Sequence, residues 1–415
     1  MMPQEPVISY PTKCFFSFRK LNQDGLPAQV LASYVGSIAL SPLMLLPILV
    51  YAYDVQLGFG PDMAGWISSS AIIGLSIATV LVALRASHWN MGRISVYGMI
   101  IMLIFTMFTL MSHQIIAIFI SSFIAGFGGG LTQAAVAAAL GRTKRYERAF
   151  AIFTSFQFFY PGIGAYFFPR LLQRPVTSLL HGFNGMQWGQ SILILSGLLL
   201  APIVGAFIYL PENGMSVDHS AEAKNLELKA LTSLPAILSN IGICIYGGSN
   251  GAIFAYSEGI GRIADLDINR IGDIIAYANF AAGTAALGVA WIENRFGHYP
   301  PLITGILIQL ISAIILYVFA SEAGYITGMF VFTISWALVF PFFLSIQSQL
   351  DRSGSVVTFG QFANLVGTAA GPSIAAYWVG SKGHFVSAIW VAAVMTILSM
   401  LPMIAIRVVY KGQPK

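Results

Sequence analysis

Long apolar runs separated by short polar turns dominate the chain. Twelve are long enough to cross a bilayer, at about 28–53, 63–85, 93–112, 115–140, 149–170, 190–210, 232–256, 271–292, 300–320, 324–348, 355–379 and 385–407. A helix needs about 20 apolar residues to traverse the hydrocarbon core, so each run predicts one spanning helix. A closed β-barrel also satisfies backbone hydrogen bonds in lipid, but it requires short alternating strands. These runs are too long and too evenly apolar for that. The expected fold is an all-α polytopic membrane protein, with twelve transmembrane helices in two pseudo-symmetric six-helix halves.

One unit carries the evidence for doubling. Leu57 to Met99 reads as a turn, a span, the basic loop Arg85–Arg93 and the start of the next span. A second copy follows about 205 residues later, opened by Ile271-Gly272-Asp273-Ile274 and closed by Trp291 to His298. Gly65 lies 27 residues before Gly92, and Gly272 lies 25 before Gly297. A helix–loop–helix unit repeated at half the chain length marks an internal duplication. The expected organisation is a cytoplasmic segment 1–27, a first half 28–210, a cytoplasmic linker 211–230, a second half 231–407 and a cytoplasmic tail 408–415. The linker has about 20 residues, too few to bury a core. With short loops elsewhere and no GxxxxGK[ST] phosphate loop, ATP-driven transport by this chain is not expected.

Composition agrees with this class and charge adds an orientation. Hydrophobic residues make up 57% and charged residues 9% of the chain, against about 25% charged in soluble domains. With both termini inside, the cytoplasmic segments hold all Lys and Arg except Arg170, Arg174, Arg262, Arg270 and Lys382. That is the positive-inside bias of a protein with cytoplasmic termini, here in a bacterial inner membrane. The net charge of +5 is matched by anionic lipid and calls for no nucleic acid. The first 27 residues, with Pro3, Pro6 and Pro11, lack the pattern of a cleavable signal. Cys14 and Cys244 read as small apolar fillers rather than redox or metal groups.

Polar residues in the spans are unevenly distributed. The third and sixth spans of each half are nearly pure hydrocarbon, with Gln309 their one interior amide. Spread among the other eight are Gln29, Tyr34, Gln133, Gln157, Asn240, Tyr246, Asn250, Asn279, Trp336, Gln347, Gln361 and Asn364. Amides are costly in lipid, so these eight helices are expected to face a central polar cavity. For any single residue, interhelical hydrogen bonding is the competing explanation. No ionisable group stands at a clear midplane position. Asp54, Asp62, Glu258 and His113 lie near the outer ends, and the first three are the candidates for ion coupling. A carboxylate dehydrated at a cavity mouth can load and release a proton, whereas mixed charges in an outer loop more often form solvated pairs. Aromatics concentrate at Phe153–Tyr160 and Trp336–Phe343, a wall suited to an amphipathic or aromatic solute.

Over essentially its whole length the chain resembles the major facilitator superfamily of secondary transporters. In that family the loop after the second helix reads G-x-L-x-D-R-x-G-R-[RK]. The second copy here keeps Arg295 and Gly297 but has Asn294 for the Asp, and the first keeps Gly92 and Arg93 but has Trp89. The resemblance implies that this Asp latches closed states, so the chain departs from the family's latch in both copies. The antiporter pattern G-x-x-x-G-P-x-x-G is partly met by Tyr160-Pro161 and Gly164, and better by Gly367, Gly371 and Pro372. Physically, such prolines bend helices and such glycines allow close approach. The arginine of many proton-coupled members is replaced by Ser122.

The function these observations and the resemblance imply is secondary active transport of a small organic solute by alternating access, proton-coupled, with efflux ahead of uptake on family frequency. No buried Arg or Lys awaits an anionic cargo, so a neutral, zwitterionic or cationic solute is expected. The alternative is a sensor or scaffold that keeps the fold without transporting. An enzyme is not expected, since the spans hold no HExxH, G-x-S-x-G or clustered His/Asp set. Expected partners are the solute, H+ and membrane lipid, with no cofactor or metal and a monomeric state.

Overall fold

The structure, a computed structural model, describes residues 25–85, 91–112, 114–141, 146–172, 231–286, 295–350 and 355–410. Within them the backbone is helical almost throughout. The first group comprises α1 (Leu26–Ala39), α2 (Ser41–Met44), α3 (Leu46–Tyr51), α4 (Pro61–Arg85), α5 (Met91–Met111), α6 (Ile115–Gly141) and α7 (Tyr146–Leu172). The second comprises α8 (Leu234–Ile263), α9 (Ile268–Ala286), α10 (Tyr299–Val318), α11 (Glu322–Leu350), α12 (Ser355–Val379) and α13 (Val386–Tyr410). Seven of these helices are long and apolar enough to cross a membrane. The runs at 190–210 and 211–230 lie outside the described residues, as do Cys14, Trp89, His113 and Asn294.

The first expected span is not one helix. It breaks at Leu40 and Leu45 into α1, α2 and α3, and continues as a π turn over Ala52–Gln56. Pro42 and Pro47 explain the breaks, each standing in the first turn of the piece that follows. A proline ring cannot supply the backbone N–H that a continuous helix needs at that point. Pro161, Pro169, Pro341, Pro372 and Pro402 instead lie inside helices that carry on through them.

Helix contacts set the registers. In the first group, Gly126 and Gly130 of α6 abut the carbonyls of Ala71 and Leu75 of the parallel α4, while Gly129 abuts the carbonyl of Ala39 on the antiparallel α1. In the second, Gly367 and Gly371 of α12 abut the carbonyls of Cys244 and Gly248 on the parallel α8. A side chain at either glycine would collide with that backbone. Without a hydrophobic drive between helices in lipid, such close backbone approach is a principal source of association. The groups meet chiefly through two helix pairs, α4 with α12 and α7 with α9.

Burial along the leading helix of each group is asymmetric. Residues Val35 to Pro47 are buried on every side, and so are Tyr246 to Gly261 of α8. Earlier in each segment, Leu26 and Val30, and likewise Leu234, Ile237 and Ile241, are exposed. The end at which α1 and α8 begin is the near end below, and the opposite end is the far end. A helix buried all round is surrounded by protein, so the two groups enclose both leading helices only towards the far end.

Replacing Gly367 with Ala is expected to lower stability by about 1–3 kcal/mol, the usual cost of forcing atoms into a filled interface. Gly297 has φ of +71° and no atom near a would-be side chain. Its Ala variant should cost only the left-handed backbone penalty of about 1 kcal/mol. Equilibrium unfolding in mixed micelles checks both, and equal losses would contradict this ranking.

Candidate functional site

Two layers of polar chemistry lie between the groups, an amide layer towards the near end and a charged seam at the far end. On α6, Gln133 falls one turn after Gly129, which faces α1, and three residues after Gly130, which faces α4. At about 100° per residue its side chain projects into the gap between those helices. On α7, Phe153 packs on Gly36 of α1, while Phe158 meets Trp336 of α11. Gln157 lies between these two directions. On α12, Asn364 packs towards Gly247 of α8 and Ala376 towards Gly65 of α4, and Gln361 projects between them. Gln157 and Gln361 therefore face the space shared by the two groups, whereas Gln133 is buried within the first group, where Thr79 Oγ1 of α4 donates to its Oε1 at 3.5 Å. From the near ends of their helices the three glutamines lie about 9–17 Å deep at 1.5 Å per residue.

The remaining amides divide by partner. Asn240 accepts a hydrogen bond from Gln347 Nε2 at 3.0 Å, and Asn279 donates to the Ile275 carbonyl at 2.8 Å. Tyr246 and Asn250, expected in the cavity wall, lie instead inside the second group. Tyr246 donates to Gln309 Oε1, and Gln309 Nε2 donates to Asn250 Oδ1 at 2.8 Å. Ser249 extends the network to Thr396 at 2.6 Å. This links α8, α10 and α13 and is interhelical glue. Its centre, Gln309, is the amide of an otherwise hydrocarbon span, and that isolation was the signal in the sequence. Gln29 is fully buried on α1. Tyr34, Gln157 and Gln361 are half-buried.

Beyond the amides stands an aromatic cluster. Trp336, 8% exposed, meets Phe158 edge-on at 5.9 Å and Phe254 edge-on at 5.5 Å, with Phe332 at 6.0 Å. Such offset and edge-on pairs are favourable beyond the area they bury. Phe158 comes from the first group and the others from the second, so the cluster bridges them.

One turn past Phe254 begins the charged seam. Glu258, 3% exposed, pairs with Arg262 Nε at 2.9 Å, and Arg262 reaches Asp54 at 2.8 Å in the first group. Two coupling candidates thus share one guanidinium, which also lies over the Phe385 ring at 5.0 Å. Asp62 is half-buried on α4 and stands apart from this triad. A second crossing pair joins Arg170 to Asp273 at 2.8 Å. Tyr256 donates to the Pro61 carbonyl at 3.1 Å, and its hydroxyl occupies the space that a side chain at Gly65 would fill. By contrast Arg270–Glu322 is an exposed pair within the second group, the solvated kind that contributes little. A small apolar pocket lies against Glu258, lined among others by Met44, Pro47, Pro161 and Phe254.

The family-motif positions have structural places. Gly92 is buried at the start of α5, while Arg93 and Arg295 are exposed. Pro161 and Gly164 are buried in α7, Pro161 beside the pocket. Gly367, Gly371 and Pro372 pack on α8, Pro372 beside Gly251. Where the family's arginine would stand, Ser122 lies 3.4 Å from the Tyr53 hydroxyl.

A family model described as Major Facilitator Superfamily matches residues 29–372. The chain belongs to that superfamily. Solved structures agree on the fold at low identity. A variant of the nucleoside transporter NupG superposes with a TM-score of 0.73 at 13% identity, over 92% of this chain and 99% of that one. A bacterial homolog of the human lysosomal transporter Spinster gives 0.67 at 13%, over 94% and 99%. A variant of the peptide transporter POT gives 0.64 at 14%, over 92% and 94%. No curated protein matches the sequence. As a superfamily member the chain has the twelve-helix multi-pass membrane fold and is a transporter rather than an enzyme.

Removing Arg262 leaves Glu258 buried without a counter-charge, whereas removing Asp54 leaves Arg262 still paired. Arg262→Ala should therefore destabilise more than Asp54→Ala, by about 1–3 kcal/mol. Adding Glu258→Gln to Arg262→Ala should recover most of the loss. A double-mutant cycle read by thermal unfolding checks this, and purely additive effects would refute the pairing as an energetic unit.

Proposed function

We propose that this transporter carries a small organic solute by alternating access, with Gln133, Gln157, Gln361 and Asn364 as the core of the central site. The observation that carries this reading is the placement of Gln157 and Gln361 on helix faces directed between the two groups. Tyr34 and Trp336 complete the wall, with Gln29, fully buried on α1, and Asn240, tied to Gln347, standing behind it. Residues 28–210 and 231–407 act as the two rocking halves, joined by the linker 211–230. Both termini are cytoplasmic, so the far end is the outer face. The conformation is inward-facing: its charged ties and its fully enclosed helix segments lie at the far end. One structural neighbour is itself described as inward-facing and unoccupied.

Coupling is to protons through Glu258. The triad of Asp54, Glu258 and Arg262 carries a formal charge of −1 in a poorly hydrated seam. One added proton makes it neutral and frees Arg262 from one of its two carboxylates. A proton arriving at Glu258 therefore leaves Arg262 to Asp54 alone, and its departure makes Glu258 compete again for the guanidinium, so the strength of the tie between the groups follows the protonation of Glu258.

The experiment uses proteoliposomes loaded with a pH-sensitive dye and challenged with pooled metabolites and drugs. Solute-triggered proton movement is expected, and splitting the pool names the cargo. Gln133→Ala, Gln157→Ala and Gln361→Ala should each lower flux about tenfold or more, the loss of one or more good hydrogen bonds to solute, with unchanged melting. Unchanged flux in all three removes this site. Glu258→Gln should abolish gradient-driven flux but spare exchange, and an unaltered pH dependence in that variant would discard its role.

A further inference from the structure

We infer that the solute is uncharged and bears a planar ring, hydrogen-bonded by Gln157 and Gln361 and resting on the aromatic floor at Trp336. This rests on the transport reading above and narrows its cargo.

The first ground is which polar groups are left open. Gln157, Gln361 and Tyr34 have no hydrogen-bond partner among the described residues, although each is half-buried on a helix that crosses the molecule. The indole N–H of Trp336 likewise donates to nothing among them, and the contacts of its ring are aromatic. An amide offers both donor and acceptor, and an indole offers a donor only. Together they match a polar edge that alternates donors and acceptors, with no full charge to neutralise.

The second ground is where charge stands. Within four residues on either side of Tyr34, Gln133, Gln157, Trp336 and Gln361 there is no Asp, Glu, Lys, Arg or His. The nearest charge along α8 is Glu258, one turn beyond Phe254 and already tied to Arg262. A charged solute on the aromatic floor would be stripped of water with no opposite charge to meet it, which is strongly unfavourable. An uncharged solute loses only hydrogen bonds that the glutamines restore.

The third ground is the floor itself. Trp336 is held by rings from α7, α8 and α11, so its exposed edge is fixed before a solute arrives. A rigid aromatic surface below a few placed polar groups is the usual build of a site for a flat organic molecule.

The test measures binding to the full chain in nanodiscs and counterflow in proteoliposomes, using probes that differ in charge or in the presence of a planar ring. Phenyl glucoside is set against phenyl glucuronide and phenyl glucosaminide, and uridine against uridine monophosphate; nicotinamide and methyl glucoside complete the panel. Binding of one or more neutral ring-bearing probes at least tenfold tighter than their charged counterparts is expected. Gln157→Ala and Gln361→Ala should each weaken that binding at least tenfold. Trp336→Leu should weaken phenyl glucoside more than methyl glucoside, a difference that mere loss of folding would not produce. A preference for a charged member, or no binding of any neutral ring-bearing probe, overturns the assignment while leaving transport intact. Binding of the neutral probes without counterflow would uphold the assignment and overturn the transport reading.

Discussion

Every polar group that a helix carries into the membrane must find a partner in the protein or face water, because the hydrocarbon offers none. That constraint sorts the amides of this chain. Asn250 and Gln309 meet each other, with Tyr246 and Ser249, and tie three helices of the second group together. Asn240 meets Gln347. Gln157 and Gln361 meet no side chain among the described residues, and they are the ones directed between the groups. Tied and open amides have the same chemistry in the sequence. Only the presence or absence of a neighbour separates them.

The same reasoning orders the layers along the membrane normal. Uncharged amides come first from the near end, an aromatic cluster follows, and the ion pairs stand beyond it. Glu258 is nearly fully buried, and Arg262 bridges it to Asp54 across the seam. A buried pair of this kind is weak evidence for stability, since dehydration offsets most of its attraction. Its value lies in making the contact between the groups depend on charge. Tyr256 on the Pro61 carbonyl adds a neutral tie at the same level, so the seam has both a charged and an uncharged component.

Close packing within each group supplies the complementary property, rigidity. The glycines of α6 and α12 bring backbones into contact with α4 and α8, and the Gln309 network locks α10 and α13 to α8. Between the groups the contacts run mainly through α4 with α12 and α7 with α9. A molecule stiff within its parts and joined along few helices can move those parts against each other with little internal rearrangement.

Run length and apolarity alone determined the all-helical polytopic fold, because a span must be about 20 apolar residues whatever surrounds it. The paired Gly65–Gly92 and Gly272–Gly297 units made the duplication legible for the same local reason. The breaks at Pro42 and Pro47 were also written locally, yet an apolar run conceals them. Tertiary structure alone decided the rest: that Glu258 and Asp54, 204 positions apart in the numbering, share Arg262, and that Tyr246 and Asn250 bind Gln309 rather than line a cavity. Pairing depends on which helix faces meet, and facing is set by contacts between segments distant in the chain, which no local pattern of apolar and polar residues encodes.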